Sequence, residues 1–280
     1  MIATNGLSNH EITFLAESDY FPFMKHLKAL FKIFGIILYT LFCYAIYITV
    51  FLFLKLFRTS TIPWKNRLIE FWSAGLTFIL NIKIQTEGAA PEPPFYLVSN
   101  HVSYVDIIVL YGLVDGTFVA KKEVRSWPFL GFMAETLGVI FVDRKRKRDV
   151  TRVNKEQTSS LKEQHGIILF PEGGTSDGST ILPLRSPLLE VPASSGIPIH
   201  YVTLYYETEE GDTPAGESVC WHGDAPLHTH MYQMARNKSI TCRAVFGAKS
   251  VLDEDRKVLA NKLHEGMVKQ FVPIKQRVMQ

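Results

Sequence analysis

Apolar positions run unbroken by charge from Ile33 to Leu54, a stretch of 22 residues. Wound as a helix it extends for roughly 33 Å, which matches the hydrocarbon thickness of a bilayer. Lys25, Lys28 and Lys32 precede it, and Lys55, Arg58, Lys65 and Arg67 follow it, so the positive-charge bias does not orient it. Both flanks fall on one side if Leu68 to Leu80, entered through Ser60, Thr61 and Pro63, returns as a short second helix within one leaflet. Glu70 and Gly75 make that second stretch a poor full span, and its length suits a buried core helix equally well. Residues 1–24 are mixed polar, with Glu11, Glu17 and Asp19, and lack the basic start and cleavage pattern of a signal peptide. They are expected to form a tail or a loosely attached helix ahead of membrane-anchoring helices in residues 25–80.

From Asn81 the pattern changes to short apolar runs punctuated by Gly and Pro, alternating with helical periodicity, which predicts an α/β domain over residues 81–280. The expected architecture is a mixed central sheet flanked by helices, behind an N-terminal membrane-anchoring helical segment. Strands are predicted at Asn81–Thr86, Phe95–Ser99, Thr117–Ala120, Val139–Val142, Gly166–Phe170, Ile197–Tyr206 and Ser239–Phe246. Helices are predicted at Ile107–Leu113, at Lys122–Leu137 with a break near Pro128 and Gly131, at Asp149–Gln164, and from a cap at Asp253 to about Val272, before Pro273. Glu207–Asp224, rich in Gly and acid, reads as an exposed loop, and there is no internal repeat.

A chain of 280 residues is long enough for one large domain with a sizeable core. Its formal net charge of +3 is too small, and its basic run Arg144–Arg148 too poor in aromatics, for a nucleic-acid surface. Beside an anchor that run suits anionic headgroups instead. Arg144 directly follows a predicted strand, which lets its guanidinium point into a site. Cys43, Cys220 and Cys242 form neither a C-x-x-C pair nor an even disulfide set. They fit a reducing compartment, so the domain is expected on the cytoplasmic side of its membrane.

The chemistry concentrates in two stretches. Asn100-His101-Val102-Ser103-Tyr104-Val105-Asp106 places a histidine and an aspartate at one strand-to-helix turn. There a carboxylate can hold the imidazole in one tautomer and stabilise its protonated form. The alternative for His101 alone is a loop histidine bonded to backbone. Phe170-Pro171-Glu172-Gly173-Gly174-Thr175-Ser176 has a similar strand-then-turn setting, and its glycines allow backbone N–H groups to approach an anion. The alternative is an ordinary Gly-rich turn. Gly174 to Gly178 also spells G-x-S-x-G, the pattern of a serine esterase with Ser176 as nucleophile. Pro171-Glu172-Gly173 intervenes after the strand and no helix begins at once, so the context of a nucleophile elbow is missing. His222, Asp224, His228 and His230 match no metal-ligand spacing and read as a surface loop cluster, so no metal is expected.

Taken together, NHVSYVD (100–106), VAKKEVRSWPFLG (119–131), VDR (142–144), FPEGGTSDG with LPLRS (170–178 and 182–186) and IPIHYVTL (197–204) resemble the glycerolipid acyltransferase family, in the family's order. The resemblance implies transfer of a fatty acyl chain from acyl-CoA or acyl-carrier protein, as substrate rather than cofactor, to a lyso-lipid hydroxyl. It implies His101 as general base and Asp106 as its partner, Glu172 and Gly173 in the acceptor motif, and Lys121, Lys122 and Arg144 near the anionic ends of the substrates. The expected product is phosphatidic acid made from 1-acyl-sn-glycerol-3-phosphate. Where the family's turn reads Glu-Gly-Thr, often with Arg next, this chain has Gly174 and no Arg. That makes Arg185 a substitute cation and keeps a lyso-ornithine lipid or another lysophospholipid as alternative acceptors. A non-catalytic lipid-binding protein is the reading from outside enzymology.

Overall fold

Strand follows helix along the chain, in the alternation that the apolar runs predict. The computed structural model describes residues 9–143, 149–162 and 165–276; Arg144 and the basic run after it lie outside them. Helix α1 (Asn9–Leu56) and helix α2 (Ile62–Leu80) precede strand β1 (Ile82–Glu87) and strand β2 (Tyr96–Ser99). Then come α3 (Val105–Tyr111), β3 (Gly116–Lys121), a 3₁₀ turn at Lys122–Ser126, α4 (Leu130–Thr136) and β4 (Ile140–Val142). Next are α5 (Asp149–Lys162), β5 (Gly166–Leu169), a second 3₁₀ turn at Ser186–Leu189, α6 (Glu190–Ser195) and β6 (Ile199–Thr208). The described chain closes with α7 (Ala215–Ser218), α8 (Leu227–Ala235), β7 (Ile240–Phe246) and α9 (Arg256–Gln270).

The strands form one seven-stranded sheet in the order β1-β7-β6-β2-β5-β3-β4. All neighbours pair in parallel except β6 and β7, so the sheet is mixed. Its central strands are buried on both faces, as parallel strands covered by helices must be. Leu97 and Ile168 face a core shared with Val105 and Val109 of α3 and Ile69 of α2. Tyr96, Val98, Ile167 and Leu169 face the opposite core, shared with Val153 of α5 and Leu259 and Leu263 of α9.

Helix α2 buries Leu68, Ile69, Leu76 and Leu80 and leaves Phe71 and Phe78 exposed. It stops because Asn81 takes the left-handed conformation (φ 57°) and returns its N–H to Phe78 O at 3.1 Å. Helix α1 runs antiparallel along α2 and the domain. Lys25 pairs with Asp212 at 3.6 Å, Lys32 Nζ donates to Leu80 O (3.2 Å) and Asn237 O (2.7 Å), Trp72 Nε1 donates to Thr40 (3.1 Å), and the Tyr47 hydroxyl donates to Thr136 O (2.7 Å).

Of the two forms expected for the N-terminal stretch, the described residues are helical from Asn9 and continuous with the apolar run. Two expectations need correction. The last helix is capped by Asp255, which accepts Lys257 N at 2.7 Å and Val258 N at 3.2 Å; Asp253, two residues before the cap, instead accepts Asp255 N at 2.9 Å. Glu207–Asp224 is no exposed loop, because β6 extends to Thr208 and Ala215, Ser218, Val219 and Cys220 are buried. Its Gly and acidic residues occupy turns around a packed α7, a distinction composition does not carry.

Candidate active site

Strand β2 stops at Ser99 because Asn100 pairs its side-chain amide with the backbone of β6. Asn100 Oδ1 accepts Leu204 N at 2.7 Å and Nδ2 donates to Leu204 O at 3.0 Å. The amide takes the place of a strand residue, and the main chain is freed to turn at His101. Asp106 lies in the first turn of α3, where the exposed N–H ends of a helix favour a negative charge. Its Oδ2 accepts Val102 N (2.8 Å), Ser103 N (2.9 Å) and the His101 ring at Nδ1 (2.8 Å). Its Oδ1 accepts the Tyr206 hydroxyl at 2.7 Å. An ionised carboxylate only accepts, so Nδ1 carries the ring proton and Nε2 presents its lone pair. Asp106 is fully buried, and this set of donors compensates the loss of water around its charge.

The imidazole stacks on Phe170 (3.9 Å between centroids, 13° between planes), which stacks in turn on Phe118 at 5.5 Å. The ring is thereby fixed in plane and in tilt while 18% of the side chain remains exposed. Phe170 ends the run whose strand is β5, the neighbour of β2, so the two motifs meet because their strands pair.

The Glu172 turn touches the same loop. Glu172 Oε1 accepts His101 N at 3.0 Å, its Oε2 accepts Leu182 N at 3.4 Å, and Ser176 N donates to His101 O at 3.0 Å. Burial raises the Glu172 carboxyl to about 8, against the pull of those two N–H donors and with a further push from the Asp106 charge. Gly173 has φ +85°, a conformation that a side chain disfavours, whereas a Cβ on Gly174 would meet nothing within 4 Å. Arg185 sits against this turn, its N donating to Pro171 O (2.8 Å) and its Nε to Glu172 O (3.1 Å).

The structure therefore gathers His101, Asp106, Glu172, Gly173, Gly174 and Arg185. It does not join Lys122 to them, since that side chain pairs with Asp143 at 3.3 Å in a separate polar cleft of about 370 Å³, shared with Arg125 and Arg152. Lys121, the last residue of β3, is exposed. Ser176 is buried with its Oγ accepting Gly178 N at 3.3 Å, and no helix follows it until Ser186 begins a 3₁₀ turn, so no nucleophile elbow forms. His230 is not a surface residue. It is buried on α8, where its Nε2 donates to Cys220 O (3.1 Å) and its Nδ1 accepts from the Tyr104 hydroxyl (3.2 Å). Burial lowers its pKa, which suits that neutral form. Tyr206, Asn100, Phe170 and Phe118 complete the site and were not singled out from sequence, because each looks like ordinary strand or turn material.

An apolar cavity of about 560 Å³ opens between α1, α2, α3 and α4. Tyr104, in the dyad loop, and Phe118, beneath Phe170, belong to its wall, alongside Tyr44, Trp72, Met133 and Met234. The cavity wall reaches the imidazole through the stacked rings of Phe118 and Phe170, at the carboxyl edge of a mostly parallel sheet, which is where α/β enzymes hold their ligands.

Comparison with known proteins gives this class its family. A family model described as Acyltransferase matches residues 81–205. The 1-acyl-sn-glycerol-3-phosphate acyltransferase of Neisseria meningitidis serogroup B is 30% identical over 207 residues, 72% of this chain and 80% of that one. The lyso-ornithine lipid O-acyltransferase of Brucella abortus is 31% identical over 226 residues, 76% of this chain and 83% of that one. The crystal structure of the 1-acyl-sn-glycerophosphate acyltransferase from Thermotoga maritima shares the fold with a TM-score of 0.55 at 21% identity, over 89% of this chain and 99% of that one. The chain belongs to the glycerolipid acyltransferase family, and it is an acyltransferase.

Proposed function

We propose that the protein is a membrane-bound acyltransferase that moves a fatty acyl group from acyl-CoA or acyl-carrier protein to the free hydroxyl of 1-acyl-sn-glycerol-3-phosphate, giving phosphatidic acid. The observation that carries this reading is the His101–Asp106 pair, 2.8 Å apart, stacked through Phe170 on Phe118 of the cavity wall. In the reaction His101 Nε2 takes the proton of the acceptor hydroxyl as its oxygen attacks the thioester carbonyl. Asp106 stabilises the imidazolium that results. The tetrahedral intermediate then collapses, the carbon–sulfur bond breaks, and the proton passes to the departing thiolate. Within the Gly173-Gly174 turn, Gly173 N donates to Phe170 O at 3.2 Å, so Gly174 N is the candidate donor to the oxyanion or to the acceptor's phosphate. No protein nucleophile is needed, which agrees with the buried, bonded state of Ser176.

Within Phe23–Leu56 of helix α1, the most apolar 18-residue window has a mean hydropathy of 2.3 and is little buried. We assign it and α2 as the anchor, lying in one leaflet with the catalytic domain on the cytoplasmic face. Such an anchor holds the site at the level where lyso-lipid and acyl chain reside.

The test is transfer of a labelled acyl group, from each thioester donor, to a panel of lyso-lipids in vesicles. The expected outcome is phosphatidic acid formation that falls about 10²-fold or more in His101→Ala and survives in Ser176→Ala. A pure protein that acylates no lyso-lipid from either donor overturns the proposal.

A second acceptor, a lyso-ornithine lipid, is favoured by Gly174 standing where the family's pattern has Thr, and by the relatives of that name. Comparing acceptors with and without a phosphate monoester, in wild type and Arg185→Ala, separates the two. Selective loss of the phosphate-bearing acceptor in the variant assigns Arg185 to that phosphate.

A further inference from the structure

Between the 3₁₀ turn at Lys122–Ser126 and the body of α4, the chain leaves Trp127, Phe129, Leu130 and Phe132 exposed by 38%, 47%, 45% and 58%, the first three at the rim of the apolar cavity and Phe132 outside it. Soluble surfaces scatter such residues singly; here they share about one turn of chain. The arrangement is held in place by local constraints. Phe129 adopts φ 62°, a left-handed conformation that a bulky residue rarely takes, and a Cβ at Gly131 would stand 2.2 Å from Arg125 O. The local backbone is thus bent against its own preference.

We infer that the Trp127–Phe132 turn is a second membrane contact, which inserts its rings among the acyl chains of a phospholipid bilayer beside α1. The inference rests on the reading of α1 as a lipid-facing helix, and it goes further by naming a surface on the catalytic domain itself. Three observations favour a bilayer over a protein partner. The patch is continuous with α1, because the Tyr44 ring meets Phe129 and Phe132 edge-on at 6.0 and 6.3 Å, and Leu41 and Phe42 beside it are exposed as well. No charge falls between Ser126 and Ala134, while the ion-paired and half-exposed Arg125 and Glu135 bracket the turn at what would be headgroup level. Trp127, Phe129 and Leu130 of the same turn also form part of the wall of the apolar cavity, so whatever covers the turn adjoins the place an acyl chain would occupy.

The native cysteines, Cys43, Cys220 and Cys242, are all buried. A nitroxide can therefore be attached selectively at Phe132→Cys in the full chain, with Phe42→Cys on α1 and the exposed Lys257→Cys on α9 as references. In vesicles of phosphatidylethanolamine and phosphatidylglycerol, collision with oxygen reports lipid and collision with a water-soluble nickel chelate reports solvent. The label at 132 is expected to favour oxygen as the label at 42 does, and the label at 257 to favour the chelate. If 132 behaves like 257 while 42 favours oxygen, this inference falls and the assignment of α1 stands. If 42 and 132 both favour the chelate, the membrane reading fails and carries the inference down with it.

Discussion

A carboxylate without water around it keeps its charge only through the donors that reach it, and among the described residues Tyr206 is the one donor to Asp106 from outside its own loop. Strand β6 outruns β2, continuing from Thr203 to Thr208 past the pair Ser99–Val202, which brings Tyr206 over the dyad. Burial and the nearby charge of Asp106 hold the phenol protonated, far above its ordinary pKa, so it can only donate to that carboxylate. Tyr206→Phe keeps the ring and removes the hydroxyl. Unfolding free energy should fall by about 1–3 kcal/mol, the value of a hydrogen bond to a charged group, and kcat should fall with KM little changed. An unaltered kcat would remove Tyr206 from the site's machinery. Glu172 gives a prediction in pH. Its folded pKa of about 8 lies above the ordinary 4.5, so the native state holds a proton that the unfolded chain releases, and its contribution to stability is full below about 4.5 and lost as pH rises to about 8. Denaturation by urea across that window should show wild-type stability declining with pH more steeply than that of Glu172→Gln. Equal slopes would mean that the carboxyl titrates normally.

At the scale of elements, the turn after Glu172 is held by chain far from it in sequence. After α9 the segment 273–276 crosses back over the site: Ile274 N donates to Gly178 O (2.9 Å), Gln276 Nε2 to Asp177 O (2.6 Å), and Gly216 N to Lys275 O (3.1 Å). The Ile274 side chain is buried against Gly178, where a Cβ would stand 2.6 Å from it. Ile274→Ala should therefore cost about 2–5 kcal/mol, and it should raise the acceptor KM more than it lowers kcat, because Ser176 in that loop is bonded to His101 O. A kinetic profile matching wild type would show that the strap supports only the fold. Nothing in residues 273–276 announces this role: a proline after a helix reads as a stop, and the value of Ile274 comes from a partner about a hundred positions away. The strands and the dyad loop were legible for the opposite reason. Their signals, apolar runs closed by Gly or Pro and a His and Asp five positions apart, are local. Tyr206 and α7 escaped because one ends an ordinary β run and the other lies in a Gly- and acid-rich stretch whose burial depends on Asn237, which donates to Ser218 Oγ at 2.9 Å.

For the whole molecule, apolar length is a poor guide to how the anchor lies, because it reports how much lipid a helix can meet and not which side meets it. The stretch Phe23–Leu56 is long enough to cross a bilayer core of about 30 Å. Yet from Lys25 to Tyr47 one side of α1 is fastened to the catalytic domain, through Asp212, Asn237 and Thr136, and Lys65 at the start of α2 donates to Leu137 O at 3.2 Å. A perpendicular crossing by α1 would draw those polar partners, and the domain that carries them, into hydrocarbon at a cost of several kcal/mol for each group left without water or a partner. In the proposed one-leaflet arrangement the helix pair would keep its bonded side on the domain and turn Phe31, Phe34, Phe42 and Phe78, all exposed, to the lipid. Lys28 and Arg67 are exposed on either side of the apolar run. Full-length protein with Lys28→Cys or Arg67→Cys, reconstituted with one orientation in sealed vesicles, should react with a membrane-impermeant maleimide from the same side as a cysteine placed at Lys257. Reaction of 28 and 67 from opposite sides would make α1 a true span, and would require the contacts at Asp212 and Thr136 to open in the membrane.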